Sequence, residues 1–275
     1  MAGAVLSTGA LARRILPPGT RPTRRAARVV ERDAVVARQL WLVILSGFFE
    51  PLFYLLSIGV GIGHLVGAVP VGGGRLVPYR EFIAPAMLAS SAMNGAVYAS
   101  TFSIFFKLRY QKTYDAMVST PLGVGDVVLG EIGFALARGA FYAIAFMAVM
   151  VALGLVGSWW AVLAVPAAVL IGFAFAGMGM AGTAFMRSWA DFDYVTLAIL
   201  PLFLFSGTFS PLSAYPPAAR VVVQVTPLYQ GVAIARGLVL GRLGWVLVAH
   251  AAYLAVVGAA GVVVASRRMG RLLLR

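Results

Sequence analysis

The run Ala161–Phe185, AVLAVPAAVLIGFAFAGMGMAGTAF, contains no charged side chain. A helix needs about 20 apolar residues to cross the hydrocarbon core of a bilayer, so this run predicts a transmembrane helix. The rest of the chain has a similar composition, because 61% of its 275 residues are hydrophobic and only 11% are charged. A soluble domain has about 45–50% apolar and about 25% charged residues. These values argue against a water-soluble protein.

Six apolar runs of this kind predict an all-α membrane protein with six transmembrane helices. An even number of spans places both termini on the same side, and the distribution of Lys and Arg indicates which side that is. With cytoplasmic termini, sixteen of the 22 basic residues lie inside and five outside. Both termini are therefore predicted to be cytoplasmic. The predicted spans are Leu40–Ile62, Phe82–Phe105, Val128–Leu153, Ala161–Phe185, Tyr194–Phe209 and Leu243–Ala265.

The chain before the first span divides into two parts, followed by the six-span domain over residues 40–275. Residues 1–23 are basic and rich in proline, which predicts a flexible leader that is not cleaved. Residues 24–39 place Ala27, Val30 and Ala34 on one helical face with arginines around the other. That pattern predicts an amphipathic helix lying along the cytoplasmic interface, with a disordered basic leader as the alternative. The net charge of +13 follows from arginines that flank spans, so no nucleic-acid partner is expected.

The connection Pro211–Arg242 is too long for a tight loop and keeps two apolar runs, Val221–Val225 and Gly231–Leu240. Neither run is long enough to span a membrane. We predict two short re-entrant helices before the sixth span, hinged around Thr226–Pro227. A folded extracellular loop is the alternative.

Few residues offer chemistry for catalysis. The chain has no cysteine and no phosphate-binding Gly-x-x-x-x-Gly-Lys-Ser/Thr loop, so neither a thiol site nor ATP hydrolysis by this chain is expected. His64 and His250 lack further ligands at helical spacing, and no metal site is predicted. Asp191 and Asp193 leave an integral-membrane lipid-modifying enzyme as an alternative. Solvated loop charges that help to end the fourth helix are the simpler interpretation.

Glu50 and Arg138 lie deep inside the predicted spans, where a charge is costly without a partner. Glu50 lies in the first span and Arg138 in the third, at similar predicted depths. We therefore predict a contact between Glu50 and Arg138, or a shared polar pocket, unless each side chain reaches the interface separately. Glu50 as an ion site leaves an ion-coupled secondary multidrug transporter as a further alternative.

The cytoplasmic segment Lys107–Leu129 reads KLRYQKTYDAMVSTPLGVGDVVL. A short helix over Arg109–Ser119 would present Tyr110, Tyr114 and Met117 along one side, with Lys112 and Asp115 towards solvent. A helix of this form can enter the groove of a partner protein. A plain interfacial loop is the alternative.

This segment resembles the signature of type-2 ATP-binding-cassette (ABC-2) export permeases, with the strongest likeness to nodulation-factor, or lipo-oligosaccharide, exporter permeases. The resemblance runs from about residue 38 to the end of the chain, and residues 1–37 are not covered. The matching motifs are Tyr110-Gln111-Lys112-Thr113-Tyr114-Asp115-Ala116-Met117, Thr120-Pro121-Leu122, Gly130-Glu131, Phe49-Glu50-Pro51-Leu52, Gly59-x-Gly61, Ala84-Pro85, Leu202–Phe209 and Pro227-Leu228-Tyr229.

The resemblance implies a dimeric permease core, built from two copies or from this chain and a paralogue, in a prokaryotic plasma membrane. It implies that Tyr110–Pro121 docks on a separate ATP-binding subunit, which would bind the ATP and magnesium, and that Glu131 belongs to the gate region. Substrate would pass between two copies, along the second and fifth spans. The substrate is expected to be hydrophobic or amphipathic, a glycolipid or a drug-like molecule. Candidate residues along this path are Met93, Phe102, Phe203 and Phe205.

The predicted ion pair within the membrane can be tested by paired substitution. If Glu50 and Arg138 neutralise one another, Glu50→Ala leaves an unpaired buried cation, and Arg138→Ala in the same chain removes it. We expect the double variant to recover part of the transport activity that Glu50→Ala loses. The pairing would be contradicted if the double variant lost as much transport activity as the two single variants together.

Overall fold

The computed structural model describes residues 22–39, 49, 52–71 and 75–273, and it is helical over most of that length. Two short strands, β1 (Ala68–Pro70) and β2 (Leu76–Pro78), pair antiparallel with Val69 opposite Val77. The helices are α1 (Pro22–Gln39), α2 (Gly63–Val66), α3 (Tyr79–Tyr98), α4 (Thr113–Val118), α5 (Val124–Ala152), α6 (Ala164–Thr183), α7 (Phe192–Leu204), α8 (Pro217–Val225), α9 (Pro227–Val239) and α10 (Trp245–Leu273).

Several helices extend through turns of a different pitch. Two π-helical stretches, Ala99–Ser103 and Phe106–Tyr110, carry the helix that begins with α3 on to Tyr110. Another π-helical stretch, Leu55–Ile62, precedes α2. Short 3₁₀ turns lie before α6 and α7, at Trp159–Leu163 and Trp189–Asp191, and before α8 at Leu212–Ala214.

Three helices of the described residues are long and apolar enough to cross a membrane by length and composition: α5, α6 with its preceding turn (Trp159–Thr183), and α10. They coincide with the third, fourth and sixth predicted spans. The second predicted span coincides with α3 and its π-helical continuation. Most of the N-terminal half of the first predicted span, residues 40–48 with 50 and 51, lies outside the described residues, as does the leader over residues 1–21.

The fifth predicted span, Tyr194–Phe209, is not one helix. Helix α7 ends at Leu204 after 13 residues, which gives a length of about 20 Å. The chain then turns through Gly207, whose φ of +71° is a conformation that residues with a side chain rarely adopt. Sequence hydropathy missed this end because the apolar run continues past the turn.

The long connection before α10 contains two short helices, as the sequence predicts. Helix α8 ends at Val225 and α9 begins at Pro227, with Thr226 between them. The Thr226 hydroxyl accepts a hydrogen bond from the Tyr229 backbone N–H at 3.3 Å, which caps α9. Proline at the first position of α9 needs no hydrogen-bond partner for its nitrogen, so the break lies at the predicted hinge.

Helix α1 packs against α5 by a face other than the one that carries Ala27 and Ala34, and its position along the cytoplasmic interface stays a prediction. The buried residues of α1 are Arg25, Val29 and Asp33, spaced four apart, whereas Ala27 and Ala34 are exposed. The two helices approach closely at Gly130, where an added Cβ would lie 2.5 Å from Val29 Cβ and 2.9 Å from the Ala26 carbonyl oxygen. The absence of a side chain at Gly130 therefore selects the face of α1 that is buried.

Helices α6 and α10 meet backbone to backbone through glycines. A Cβ on Gly177 would lie 2.5 Å from the Gly258 carbonyl oxygen, and a Cβ on Gly261 would lie 2.6 Å from the carbonyl oxygen of Gly177. Close approach of this kind is how small residues pack helices in membranes, where lipid supplies no hydrophobic drive.

We expect Gly261→Ala to lower the free energy of unfolding by about 1–3 kcal/mol, because the new methyl group meets backbone that cannot move aside. Gly270→Ala on the same helix is the matched control, since a Cβ there meets nothing within 4 Å. The alanine gains helix propensity at both positions, so only Gly261→Ala should unfold earlier in denaturation of the detergent-purified chain. Equal stability of the two variants would contradict the close contact.

Candidate functional site

The segment Tyr110–Pro121 forms an exposed projection at one end of the helix bundle. Its helix, α4, is shorter than the predicted Arg109–Ser119, because Arg109 and Tyr110 end the preceding π-helical stretch. Lys112 has a φ of +49°, so the chain changes direction just before α4. Exposed residues of the segment are Tyr110, Gln111, Lys112, Asp115, Ala116, Ser119, Thr120 and Pro121, and Thr113 is half-buried.

Two side chains of this segment point inwards. Tyr114 is 0% exposed and Met117 is 9% exposed, and both pack in the main hydrophobic core. The predicted grouping of Tyr114 and Met117 on one side is present, but Tyr110 is 61% exposed and lies apart from them. The exposed surface of α4 is therefore the polar one around Asp115.

Beneath α4 lies an ion cluster made of Arg32, Asp33, Lys107 and Glu131. The Lys107 ammonium donates to Glu131 Oε2 at 2.7 Å and to Asp33 Oδ2 at 3.0 Å. Arg32 Nη2 donates to Glu131 Oε1 at 3.2 Å, and Arg32 also pairs with Asp33. Two carboxylates and two cations make the cluster neutral, which is the condition for burying charges.

The cluster joins three segments that are distant in sequence. Arg32 and Asp33 come from α1, Lys107 from the continuation of α3, and Glu131 from the second turn of α5. Both carboxylates are only 4% exposed, whereas the side chain of Lys107 is 15% exposed. Because each carboxylate shares its cations with the other, the positions of the three segments depend on one another.

Further contacts tie α4 to this cluster. Arg32 Nη1 lies 3.4 Å from the Met117 sulfur, and Arg25 Nη1 donates to the Pro121 carbonyl oxygen at 3.2 Å. The Tyr114 hydroxyl is buried without a hydrogen-bond partner among the described residues. Burial and the nearby charge of Glu131 raise the pKa of Tyr114 well above its ordinary value, so this hydroxyl stays protonated.

The segment is also attached to α6. Arg109 Nη2 donates to the Met186 carbonyl oxygen at 2.8 Å, just beyond the end of α6. Because of these contacts, a displacement of the α4 projection would also shift α1, α3, α5 and α6.

The structure describes only one member of the predicted intramembrane pair. Glu50 lies outside the described residues, so its contact with Arg138 stays a prediction. Arg138 Nη2 donates to the Gly95 carbonyl oxygen of α3 at 3.2 Å. This bond links α5 to α3 about 10 Å along the helix axis from Glu131.

A mostly apolar cavity of about 850 Å³ lies between α3, α6 and α7. Val97, Met178 and Ile199 contribute apolar walls, and Arg187 and Asp191 lie at one end. The four candidate path residues do not line this cavity. Met93 is 0% exposed in the core, Phe102 stacks on Phe192 at 4.2 Å between ring centroids, and Phe203 packs edge-on against Phe209. Phe205 is 57% exposed at the end of α7.

Of the two loop acids, Asp191 is engaged in local structure. The Asp191 carboxylate accepts backbone hydrogen bonds from Arg187 at 2.6 Å and Ser188 at 3.1 Å. These bonds hold the pKa of Asp191 below its ordinary value. No group of three His, Asp or Glu side chains that could hold a metal occurs in the described residues. The arrangement is that of a loop stabilised between α6 and α7.

Sequence reasoning identified Glu131 but missed its partners. Asp33 is one of nine acidic residues in the chain, and it lies in an otherwise strongly basic segment. Lys107 is one of only two lysines and directly follows an apolar run. The signal in the sequence was that acidic residues and lysines are rare in this chain. Contact between Asp33, Lys107 and Glu131 is visible only in the tertiary structure.

The ion cluster makes a prediction about stability. Lys107→Met leaves two buried carboxylates facing one another with a single arginine, which should lower the free energy of unfolding by about 3–5 kcal/mol. Adding Glu131→Gln to Lys107→Met leaves one cation and one carboxylate, so the cluster is neutral again. The double variant should recover part of the lost free energy of unfolding, as measured by denaturation in detergent. Arg28→Met is the control, because the Arg28–Glu31 pair is exposed and contributes about 0–1 kcal/mol. A double variant no more stable than Lys107→Met would contradict the shared-charge account.

Comparison with known proteins bears on this site. The chain is 35% identical over 217 residues to nodulation protein J of Rhizobium leguminosarum bv. trifolii, covering 78% of this chain and 80% of that protein. It is 33% identical over 200 residues to nodulation protein J of Rhizobium meliloti (strain 1021), covering 72% and 74%. It is also 27% identical over 181 residues to the inner membrane transport permease YadH of Escherichia coli (strain K12), covering 65% and 69%.

The model of a transporter family, described as ABC-2 type transporter, matches residues 28–240. The matched range includes α1 from Arg28 onwards, the α4 projection and all four residues of the ion cluster. Members of this family are membrane subunits of transporters and are not enzymes themselves. The family model matches most of the chain, and the apolar helices agree with a membrane subunit. The chain therefore belongs to the ABC-2 type transporter family.

Proposed function

We propose that the chain is the membrane subunit of an ATP-driven exporter in a prokaryotic plasma membrane. A separate ATP-binding subunit, which carries ATP and magnesium, docks on the segment Tyr110–Pro121. Closure of the ATPase pair pushes on this segment and changes the arrangement of the helices.

The observation that carries the proposal is the two-sided character of α4. Asp115 and Lys112 are exposed on the side that faces away from the bundle, and Tyr114 and Met117 are buried on the other. Exposed polar groups suit a protein partner that must be recognised, whereas the buried pair couples α4 to its own bundle. A plain loop would need no such anchoring.

The ion cluster supports a mechanical role for the same segment. Lys107, Asp33 and Glu131 hold three segments together directly beneath α4. Arg25 and Arg32 connect α1 to the second half of the projection, at Pro121 and Met117. Force applied to α4 is therefore transmitted to α5 and to the continuation of α3. In this proposal Glu131 belongs to the gate that opens when those helices move.

The proposed substrate is hydrophobic or amphipathic, a glycolipid such as a lipo-oligosaccharide or a drug-like molecule. The apolar cavity of about 850 Å³ between α3, α6 and α7 has the volume and lining of a ligand site. Its polar end, with Arg187 and Asp191, suits a molecule with a polar head. The resemblance to nodulation-factor exporter permeases favours the glycolipid.

We further propose six spans with cytoplasmic termini and a permease core of two copies or two paralogues. The distribution of Lys and Arg residues supports this orientation of the termini. In this orientation the α4 projection lies on the cytoplasmic side. The exposed apolar face of α7, with Tyr194, Leu197 and Leu200 each more than half exposed, suits lipid or a second permease copy.

Substitution of an exposed acid on α4 tests the docking surface. We expect Asp115→Asn to reduce the amount of ATP-binding subunit that co-purifies with the tagged chain about tenfold, because an interfacial charge commonly contributes about 1–2 kcal/mol. Glu31→Gln is the matched control, since it removes an exposed acid from α1 at the same end of the bundle.

Both variants should keep the size-exclusion profile of the original chain, because neither carboxylate is buried. Normal co-purification of Asp115→Asn and of Lys112→Gln would contradict docking through α4. If the intact chain carries no ATP-binding subunit when isolated from its native membrane, the ion-coupled transporter or the lipid-modifying enzyme becomes the better proposal.

A further inference from the structure

A second cavity, of about 710 Å³, lies at the opposite end of the bundle from α4. Its walls come from the β-hairpin, the start of α3, the turn after α7, helix α9 and the start of α10. Phe82 of α3 lines this cavity and Lys107, on the continuation of the same helix, lies in the ion cluster. The 25 residues between them correspond to about 37 Å of helix, so the two sites are separate.

The cavity has an arginine built into its wall. Arg236 of α9 donates from Nε to the Phe82 carbonyl oxygen at 3.2 Å and from Nη2 to the Gly207 carbonyl oxygen at 3.0 Å. Its guanidinium carbon lies 3.7 Å from the centre of the Phe82 ring. These contacts hold the guanidinium in one orientation, and they use only two of its five N–H donors.

Arg236 has no acidic partner in the part of the chain that the structure describes. It forms no salt bridge there, and none of the residues lining the cavity is Asp or Glu. In the ion cluster at the other end, by contrast, Asp33 and Glu131 neutralise the two cations. A cation held in a cavity without a counter-charge costs free energy, and an anion that binds from outside removes that cost.

Other groups add to the positive potential of this cavity. Arg242, which is exposed, lines it together with the polar side chains of Ser213, Tyr229 and His250. The first turn of α10, a helix of 29 residues with no acid in that turn, also borders the cavity through Val246. Unpaired backbone N–H groups and the helix dipole favour an anion at such a position.

We propose that this cavity binds a phosphate group, with Arg236 and Arg242 as its two charged ligands. A planar guanidinium matches the oxygen atoms of phosphate, and a pair of arginines matches its charge. The apolar residues Val71, Leu212 and Leu247 beside them suit the part of a lipid next to its phosphate. The phosphate comes either from a phospholipid head group or from free phosphate. This site is independent of the proposed transport function.

The full chain, purified in a phosphorus-free detergent and a phosphate-free buffer, tests the proposal without an ATPase or a transport assay. Three probes are titrated by calorimetry: inorganic phosphate, dioctanoyl phosphatidic acid, and dioctanoylglycerol, which has the same tails without the phosphate. Binding of phosphatidic acid but not of dioctanoylglycerol is expected. Similar affinity for inorganic phosphate assigns the site to free phosphate, and binding of phosphatidic acid alone assigns it to a lipid head group.

Substitutions locate the binding. Arg242→Gln should weaken the binding of the phosphate-containing probes about tenfold, because one charge-assisted hydrogen bond is lost. Arg242 is exposed and its side chain makes no described hydrogen bond, so this variant should fold, as checked by size-exclusion chromatography. Arg75→Gln is the matched control, since Arg75 is an exposed arginine of the β-hairpin that does not line the cavity.

Arg236→Lys keeps the charge but loses the fork geometry, and a folded sample should also bind more weakly. The proposal is overturned if the unmodified chain binds neither phosphate probe. It is equally overturned if Arg242→Gln binds as tightly as Arg75→Gln. Neither result would affect the ATPase-docking proposal, which concerns the other end of the bundle.

Discussion

The position of α4 depends on the burial of Lys107 between two carboxylates. A lysine that follows an apolar run would normally extend to water, but here it bridges Asp33 and Glu131, which come from helices almost 100 residues apart in sequence. Loss of a single member leaves another charge without its partner, which is destabilising because both carboxylates and Lys107 are largely removed from solvent. The arrangement places the short helix α4 on a base formed by three segments, so that a helix of six residues has a fixed orientation.

Much of the fold follows from local composition. The runs that form α5, α6 and α10 can be recognised in the sequence because their apolar length is sufficient to predict a span without knowledge of any neighbour. The break at Thr226 is equally local, since a proline follows a residue that can cap a helix. The signature around Tyr114 and Asp115 identifies the projection. All of these features depend on residues close to one another in the chain.

The features that could not be predicted depend on tertiary contacts. The apolar pattern of α1 predicts a face with Ala27 and Ala34 along the interface, but it does not reveal that Val29 and Asp33 are buried or that α1 approaches α5 at Gly130. Tyr114 is expected at a partner surface from the signature alone, yet it lies in the core beside Glu131. Helix α7 ends before its apolar run does, because the turn at Gly207 depends on backbone conformation that hydropathy does not detect.

The glycine contact between α6 and α10 affects how the subunit can move. Helices separated by side chains can slide, since rotamer changes absorb small shifts, whereas two backbones in direct contact have no such adjustable layer. The close approach at Gly177, Gly258 and Gly261 therefore restricts sliding of α6 against α10. If α4 is driven as proposed, α3 with its π-helical turns and α5 can move separately, whereas α6, which Arg109 also links to this end of the bundle, can move only together with α10.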